Sequence, residues 1–279
     1  MCMPHAMTSS TSILILGASG TTGRRVTRLL RGQGHTVRAA SRHSDLHFDW
    51  TDSSTWEAAL GTSSRLYLMA PHEQPIPAQF VSLAVSRSVR RIVLLSSQAI
   101  EIMGDQRLMA AERLVRDAGV EWTLVRPDWF NQNFDEGFFR PSVLAGRIAL
   151  PVGDTKQAFV DADDIAAVVA TALTEDGHAG RSYELSGPRP LGFAEAAAII
   201  GRAAGREVHF AGDPDTYRAE QKTLGLPDEA IQGAIQAFSA LKERGDAAPT
   251  DTVRAVTGRA PKPFETYAAE AAASGAWAP

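Results

Sequence analysis

The chain has 279 residues, with 28 Lys and Arg against 32 Asp and Glu, giving a net charge of −4. That length buries a full core, the charge leaves no basic surface for nucleic acid, and polar residues interrupt every apolar run short of a membrane span. The single cysteine, Cys2, excludes an internal disulfide and a cysteine-ligated metal cluster and fits a reducing cytoplasm.

Residues 1–11 read as a disordered leader without the apolar segment of a signal peptide. Residues 13–16 form an apolar strand that runs straight into Gly17-Ala18-Ser19-Gly20-Thr21-Thr22-Gly23, and a helical pattern follows over 22–32. In this order the first glycine permits the sharp turn. The second lets a pyrophosphate approach the backbone, and the third lets helix and strand pack closely. Strands are expected over 36–40, 46–50, 66–70, 92–95 and 122–125, with helices over 54–60, 78–88 and 108–118. This alternation predicts a parallel sheet covered on both faces, with right-handed crossovers. After Pro127 the rhythm breaks into a loop-rich stretch over 130–150. A strong helix follows at 162–174, capped by Asp161, then a strand at 181–185. From Gly192 onward the pattern is helical and rich in alanine.

In a doubly wound sheet the ligand lies across the carboxyl ends of the strands, so the residues just after each strand carry the chemistry. Ser41 and Arg42 follow the second strand, where an NAD-selective site would offer an acid. A hydroxyl and a guanidinium suit a 2′-phosphate, which favours NADPH over NADH; the alternative is a solvated loop charge. Asp49 either accepts from the adenine amino group or is solvated. Ala70 and Pro71 fall beside the ribose and pyrophosphate. Ser96 and Ser97 fall near the nicotinamide, or cap a strand end. His72 either lines the substrate cleft or lies on the surface. The run Pro127-Asp128-Trp129-Phe130-Asn131-Gln132-Asn133 mixes rings with amides. Trp129, Phe130, Asn131 and Asn133 are substrate-side candidates; the rings equally suit a core between lobes. Ser97 and Asp128 are the candidate catalytic side chains, Asp128 as a partner for a cationic substrate.

None of Tyr67, Tyr183, Tyr217 and Tyr267 is followed four residues later by lysine, and the first lysine in the chain is Lys156. The phenol–lysine pair that protonates a developing alkoxide is therefore missing. The seven histidines show no metal-ligand spacing, so no metal is expected.

The G-A-S-G-T-T-G turn, Ser41-Arg42, Phe48-Asp49-Trp50, L-L-S-S at 94–97, A-E-R-L-V-R-D-A-G-V-E-W at 111–122 and R-P-D-W-F-x-x-N-F at 126–134 carry a resemblance. So do F-V-D-A-D-D-I-A at 159–166 and V-T-G-R-A-P-K-P-F at 256–264. With these motifs the chain resembles the NmrA-like atypical short-chain dehydrogenases/reductases. Within that family it is similar to NAD(P)H quinone reductase-like proteins and festuclavine-type reductases of ergot alkaloid biosynthesis. The resemblance implies an α/β fold: a Rossmann-type doubly wound parallel sheet with a smaller, mainly helical C-terminal substrate lobe. The expected division is a cofactor domain over 12–185, with 135–155 contributing to the substrate cleft, and a lobe over 186–279. It also implies NADP(H), a small-molecule substrate, and a monomer or homodimer. The usual basic residue before A-E-x-L is absent here, where Leu108 and Met109 are apolar.

The leading expectation is NADPH-dependent hydride transfer to a small electron-poor acceptor, a quinone or an imine or iminium. A cationic C=N⁺ gives a neutral amine and a quinone gives a delocalised phenolate, so neither needs the strong acid that a ketone needs. The alternatives are a cofactor-sensing regulatory protein without turnover and a redox-neutral isomerase or cyclase.

Overall fold

The first strand, β1 (Ser12–Leu16), is buried at all five residues, which marks it as central in a sheet covered on both faces. A computed structural model describes residues 11–71 and 74–278; the leader through Ser10, with Cys2, and His72 lie outside the described residues. After β1 come α1 (Thr21–Gly32), β2 (Thr36–Ser41), β3 (Leu46–His47), α2 (Trp56–Leu60), β4 (Arg65–Met69), α3 (Ala78–Ser86), β5 (Arg91–Leu95), α4 (Gln106–Arg116) and β6 (Glu121–Pro127). Then follow α5 (Arg140–Leu144), β7 (Arg147–Ala149), β8 (Lys156–Gln157), α6 (Ala162–Thr174) and β9 (Arg181–Leu185). The chain ends with β10 (Leu191–Gly192), α7 (Phe193–Ala204), β11 (His209–Ala211), α8 (Pro214–Thr223), α9 (Asp228–Arg244), α10 (Thr252–Thr257) and α11 (Phe264–Ala273).

The main sheet has seven strands in the order β3-β2-β1-β4-β5-β6-β9, all parallel. Strand order reverses at β1, between β2 and β4, which opens a crevice at the carboxyl ends there. Alternate residues feed the two faces. Leu14, Leu16, Leu66, Leu68, Ile92 and Leu94 pack with Trp56, Phe80 and Val115 of α2, α3 and α4. Ile13, Ile15, Tyr67 and Val93 pack with Val26 and Leu30 of α1 and Ile165 and Val169 of α6.

A third core holds the C-terminal lobe together. It joins Phe134, Phe139 and Phe159 to Phe193, Ile200, Phe264 and Trp277. Part of the lobe's core therefore comes from the stretch between β6 and α6. Conversely, Val253 of α10 packs back on the sheet's α1/α6 face. Among the described residues no helix is long and apolar enough to cross a membrane.

Four local expectations change. The third strand stops at His47, because Asp49 Oδ1 takes the Thr51 N–H at 2.8 Å and turns the chain. The helix expected from 108 starts at Gln106, because Asp105 caps it by accepting from Leu108 N at 2.9 Å. The stretch over 130–150 contains α5 and β7 as well as loops. Two short strands, β10 and β11, interrupt the helical run after residue 190 and pair with β8 and β7.

Candidate cofactor and acceptor site

The glycine turn is built as its spacing demands. Gly17 has φ +65°, a conformation that costs a side-chain-bearing residue free energy. Its carbonyl accepts from Gly20 N at 2.9 Å. A Cβ at Gly23 would lie 2.2 Å from that same carbonyl oxygen, so only glycine lets α1 start this close to β1. The N-cap, Gly20, offers α1 no side-chain cap, and its first turn holds no acid. Uncapped N–H groups and the positive end of the helix dipole are thus left for an anion, which fits a dinucleotide's pyrophosphate.

The cleft over this turn has a volume of about 440 Å³. It gathers Gly17, Ser19, Gly20, Ser41, Arg42, Asp49 and Pro71 from the expected set. His43, Phe48, Trp50, Thr51, Met69 and Gln74 also line it. Arg42 is exposed, and no carboxylate of the described residues lies within ion-pair distance of it. Asp49 Oδ1 accepts both the N–H and the hydroxyl of Thr51, each at 2.8 Å. Those two bonds hold its carboxyl below the usual range, so it is ionised at neutral pH.

Thr21 opens α1 and its carbonyl accepts from Arg25 Nη1 at 2.9 Å. Thr22 turns inward and is buried, as is the Tyr67 phenol. Burial pushes that phenol well above its ordinary range. Thr22 and Gly23 thus shape the turn from behind. Ala70 is buried in the core of the α2–α4 face, and Pro127 is buried at the end of β6.

A second cleft, of about 350 Å³, opens where β5 and β6 end. Ser97, Asp128, Trp129, Phe130 and Asn133, all candidates from the sequence, line it. Gln98, Ala99 and Met103 join from the β5 side, and Phe138, Leu241 and Arg244 from the lobe. The Trp129 ring sits among Phe139 at 5.9 Å, Phe193 at 5.3 Å and Phe238 at 6.2 Å, so it is rigidly packed yet half-exposed. Phe138 is 62% exposed at the mouth.

Three candidates sit differently from their sequence reading. Ser96 turns away from the cleft and donates to buried Glu112 Oε1 at 2.6 Å. Asn131 is fully buried and its amide points at Asp161, with Oδ1 left without a partner. Asp128 is nearly enclosed, and its two oxygens accept Trp129 N and Ala158 N, each at 2.8 Å. Burial pushes its pKa up despite those bonds. With both oxygens engaged by backbone, Asp128 fixes the loop that presents Trp129.

Tyr267 and Lys262 come together in the lobe, but in a different cavity, which they share with Asp135 and Asp161. Tyr267 donates to Asp135 Oδ1 at 2.8 Å, and its pKa is raised well above the ordinary value by burial and by that carboxylate. Lys262 Nζ is 2.8 Å from Glu270 and 3.4 Å from both Asp161 and Asp163. This pair lines neither cleft.

A glycine cradle on an uncapped helix at the switch point, beside an aromatic cleft, defines a dinucleotide-binding oxidoreductase. No protein-family model matches the chain. YesF of Bacillus subtilis, an uncharacterized oxidoreductase, is 34% identical and covers 96% of this chain and 97% of its own. Festuclavine synthase II of Penicillium roqueforti is 31% identical over 92% of this chain and 97% of that protein. An NAD(P)H azoreductase of Xenophilus azovorans is 30% identical over 95% of this chain and 99% of its own. The crystal structure of NmrA, a negative transcriptional regulator, in complex with NADP shares the fold, with a TM-score of 0.69 at 15% identity. The match covers 94% of this chain and 95% of that one. The chain belongs to the NmrA-like atypical short-chain dehydrogenases/reductases and is an NAD(P)H-dependent oxidoreductase.

Proposed function

We propose that this protein is an NADPH-dependent reductase that passes hydride to a small, flat, electron-poor acceptor, a quinone or an imine-type C=N. The observation that carries the reading is the pairing of two clefts along one sheet edge. One presents Arg42 and Ser41 beside the glycine cradle; the other has aromatic walls and no lysine or tyrosine. When bound, the reduced cofactor supplies a hydride, one hydrogen nucleus with two electrons.

The chain's own residues do the rest. Gly17, Ser19 and Gly20 hold the phosphates with Thr21 at the helix start, and Arg42 and Ser41 hold the 2′-phosphate. Trp129 and Phe130 stack a flat acceptor, and Asp128 keeps Trp129 in place. Ser97 and Asn133 are the neutral donors at hand for an oxygen that gains charge. A quinone that takes hydride leaves as a hydroquinone anion, which water protonates, so positioning supplies most of the rate. The azoreductase among its relatives acts on another conjugated acceptor, which supports this class. The single cysteine supports a cytoplasmic setting.

The test is direct. Purified protein with NADPH and a panel of quinones, azo compounds and cyclic imines is followed at the nicotinamide absorbance band. Acceptor-dependent NADPH oxidation is expected. Tight NADPH binding with no oxidation across the panel would overturn the reading in favour of a cofactor sensor.

A further inference from the structure

The two charged residues lining the acceptor cleft, Asp128 and Arg244, are differently placed. Asp128 lies beneath the surface with both oxygens bonded to backbone N–H groups. Arg244, the last residue of α9, is exposed, and no carboxylate of the described residues lies within ion-pair distance of it. The nearest acids along the chain point elsewhere or are solvated: Asp246 accepts from Lys156 N at 2.9 Å, and Glu243 is exposed. Helix-end electrostatics favour a cation in this turn, but Lys242 already supplies one. Of the remaining walls, Met103, Trp129, Phe130, Phe138 and Leu241 are apolar or aromatic, while Ser97, Gln98 and Asn133 are polar but neutral.

We infer that Arg244 makes this cleft selective for aromatic acceptors that carry an anionic substituent, a carboxylate or a sulfonate. The inference rests on the acceptor-cleft reading above and sharpens it. A ring covers Trp129 and the exposed Phe138, and its acidic group meets a guanidinium whose planar fork matches two oxygens at once. An iminium or other cationic acceptor brings like charge against Arg244.

The probe pair is naphthalene-2-sulfonate and its neutral isostere naphthalene-2-sulfonamide. Each is titrated into the NADP⁺-loaded protein and read by tryptophan fluorescence quenching. The sulfonate binds about tenfold tighter in the natural protein, as a charge-assisted bidentate contact gives. In Arg244→Gln the ratio falls toward one, and in Arg244→Lys part of it returns. A ratio near one in the natural protein, or a ratio unchanged in Arg244→Gln, overturns the inference. Turnover of 1,4-naphthoquinone-2-sulfonate is measured separately. Charge-selective binding without NADPH oxidation leaves the anion site standing and counts against a quinone as the acceptor in the proposed function.

Discussion

Arg25 grips Glu136 with two nitrogens, Nη2 to Oε1 at 2.8 Å and Nη1 to Oε2 at 3.2 Å. The same Nη1 donates to the Thr21 carbonyl at 2.9 Å, in the first turn of α1. Arg24 pairs with the same carboxylate. Partial burial opposes ionisation of Glu136, but the bonds from Arg25 and Arg24 outweigh it and hold its pKa below the usual range. Glu136 lies between Asn133 and Phe138, which both line the acceptor cleft. One carboxylate thus ties the cofactor helix to the acceptor loop.

Glu136→Gln keeps the shape and removes the charge. The expected outcome is a rise of about three- to tenfold in acceptor KM, with NADPH affinity changed by less than twofold. Because the pair is partly solvated, stability falls by only about 1 kcal/mol. Steady-state kinetics, cofactor titration and urea unfolding separate the three quantities. An unchanged acceptor KM would show that the tie does not position the loop.

The glycine cradle gives an internal control. A Cβ at Gly23 meets the Gly17 carbonyl oxygen at 2.2 Å, so Gly23→Ala forces α1 away from β1. Gly32, in the same helix, has nothing within 4 Å of the added atom. Gly23→Ala is expected to lose more than tenfold in cofactor affinity. Gly32→Ala should keep it and gain about 0.5–1 kcal/mol of stability. Isothermal titration with NADPH and thermal melts test both. Equal affinities would remove the cradle from the phosphate site.

What the sequence revealed, and what it hid, follows the range of the interactions. The switch-point cleft was legible because Gly17, Ser41 and Pro71 each fall at or within two residues of a strand's carboxyl end, and strands announce themselves locally. Which of Ser96 and Ser97 faces the cleft was not legible. That choice is made by Glu112, sixteen residues further on, which captures Ser96. Asn131 reads as a cleft amide beside Trp129, yet Asp161 draws its side chain into the interior. Leu241 and Arg244 close the cleft from a helix more than a hundred residues past β6, and no local pattern marks them. Phe138 was equally hidden, since an aromatic in a loop reads as core until its exposure is seen.

Buried Glu112 carries the acid sensitivity. It accepts from Ser96 Oγ at 2.6 Å, from Arg126 Nε at 2.7 Å and Nη2 at 2.5 Å, and from Arg116 at 2.9 Å. Burial alone would raise its pKa, but the bonds led by Arg126 bring it below the ordinary value. A depressed folded-state pKa contributes stability above the unfolded-state value. That stability is lost as pH falls through the folded-state value. Glu112→Gln is therefore expected to cost about 3 kcal/mol at pH 7, because Arg126 loses a buried partner. The gap from the natural protein should narrow in acid, below about pH 4. Urea unfolding across that range checks it; a gap independent of pH would assign the loss to packing.

In the proposed reading, cofactor choice turns on Arg42. Ser41 and Arg42 line the cleft over the glycine turn, and Asp49 faces the same space with its carboxylate ionised. A ribose 2′-OH needs an acceptor, whereas a 2′-phosphate needs a cation to offset Asp49. Arg42, with no carboxylate of the described residues at ion-pair distance, is the side chain in position to do this. Arg42→Ala should weaken NADPH binding about tenfold or more, the scale of a lost charge-assisted bidentate contact, while NADH binding stays within twofold. Removing the acid should act the other way: Asp49→Asn relieves repulsion of the phosphate and leaves NADPH binding equal or tighter. Fluorescence titration of both nucleotides into the three proteins gives the ratios. If Arg42→Ala leaves the NADPH/NADH ratio where it was, the 2′-phosphate does not sit on Arg42, and the preference for NADPH loses its physical basis.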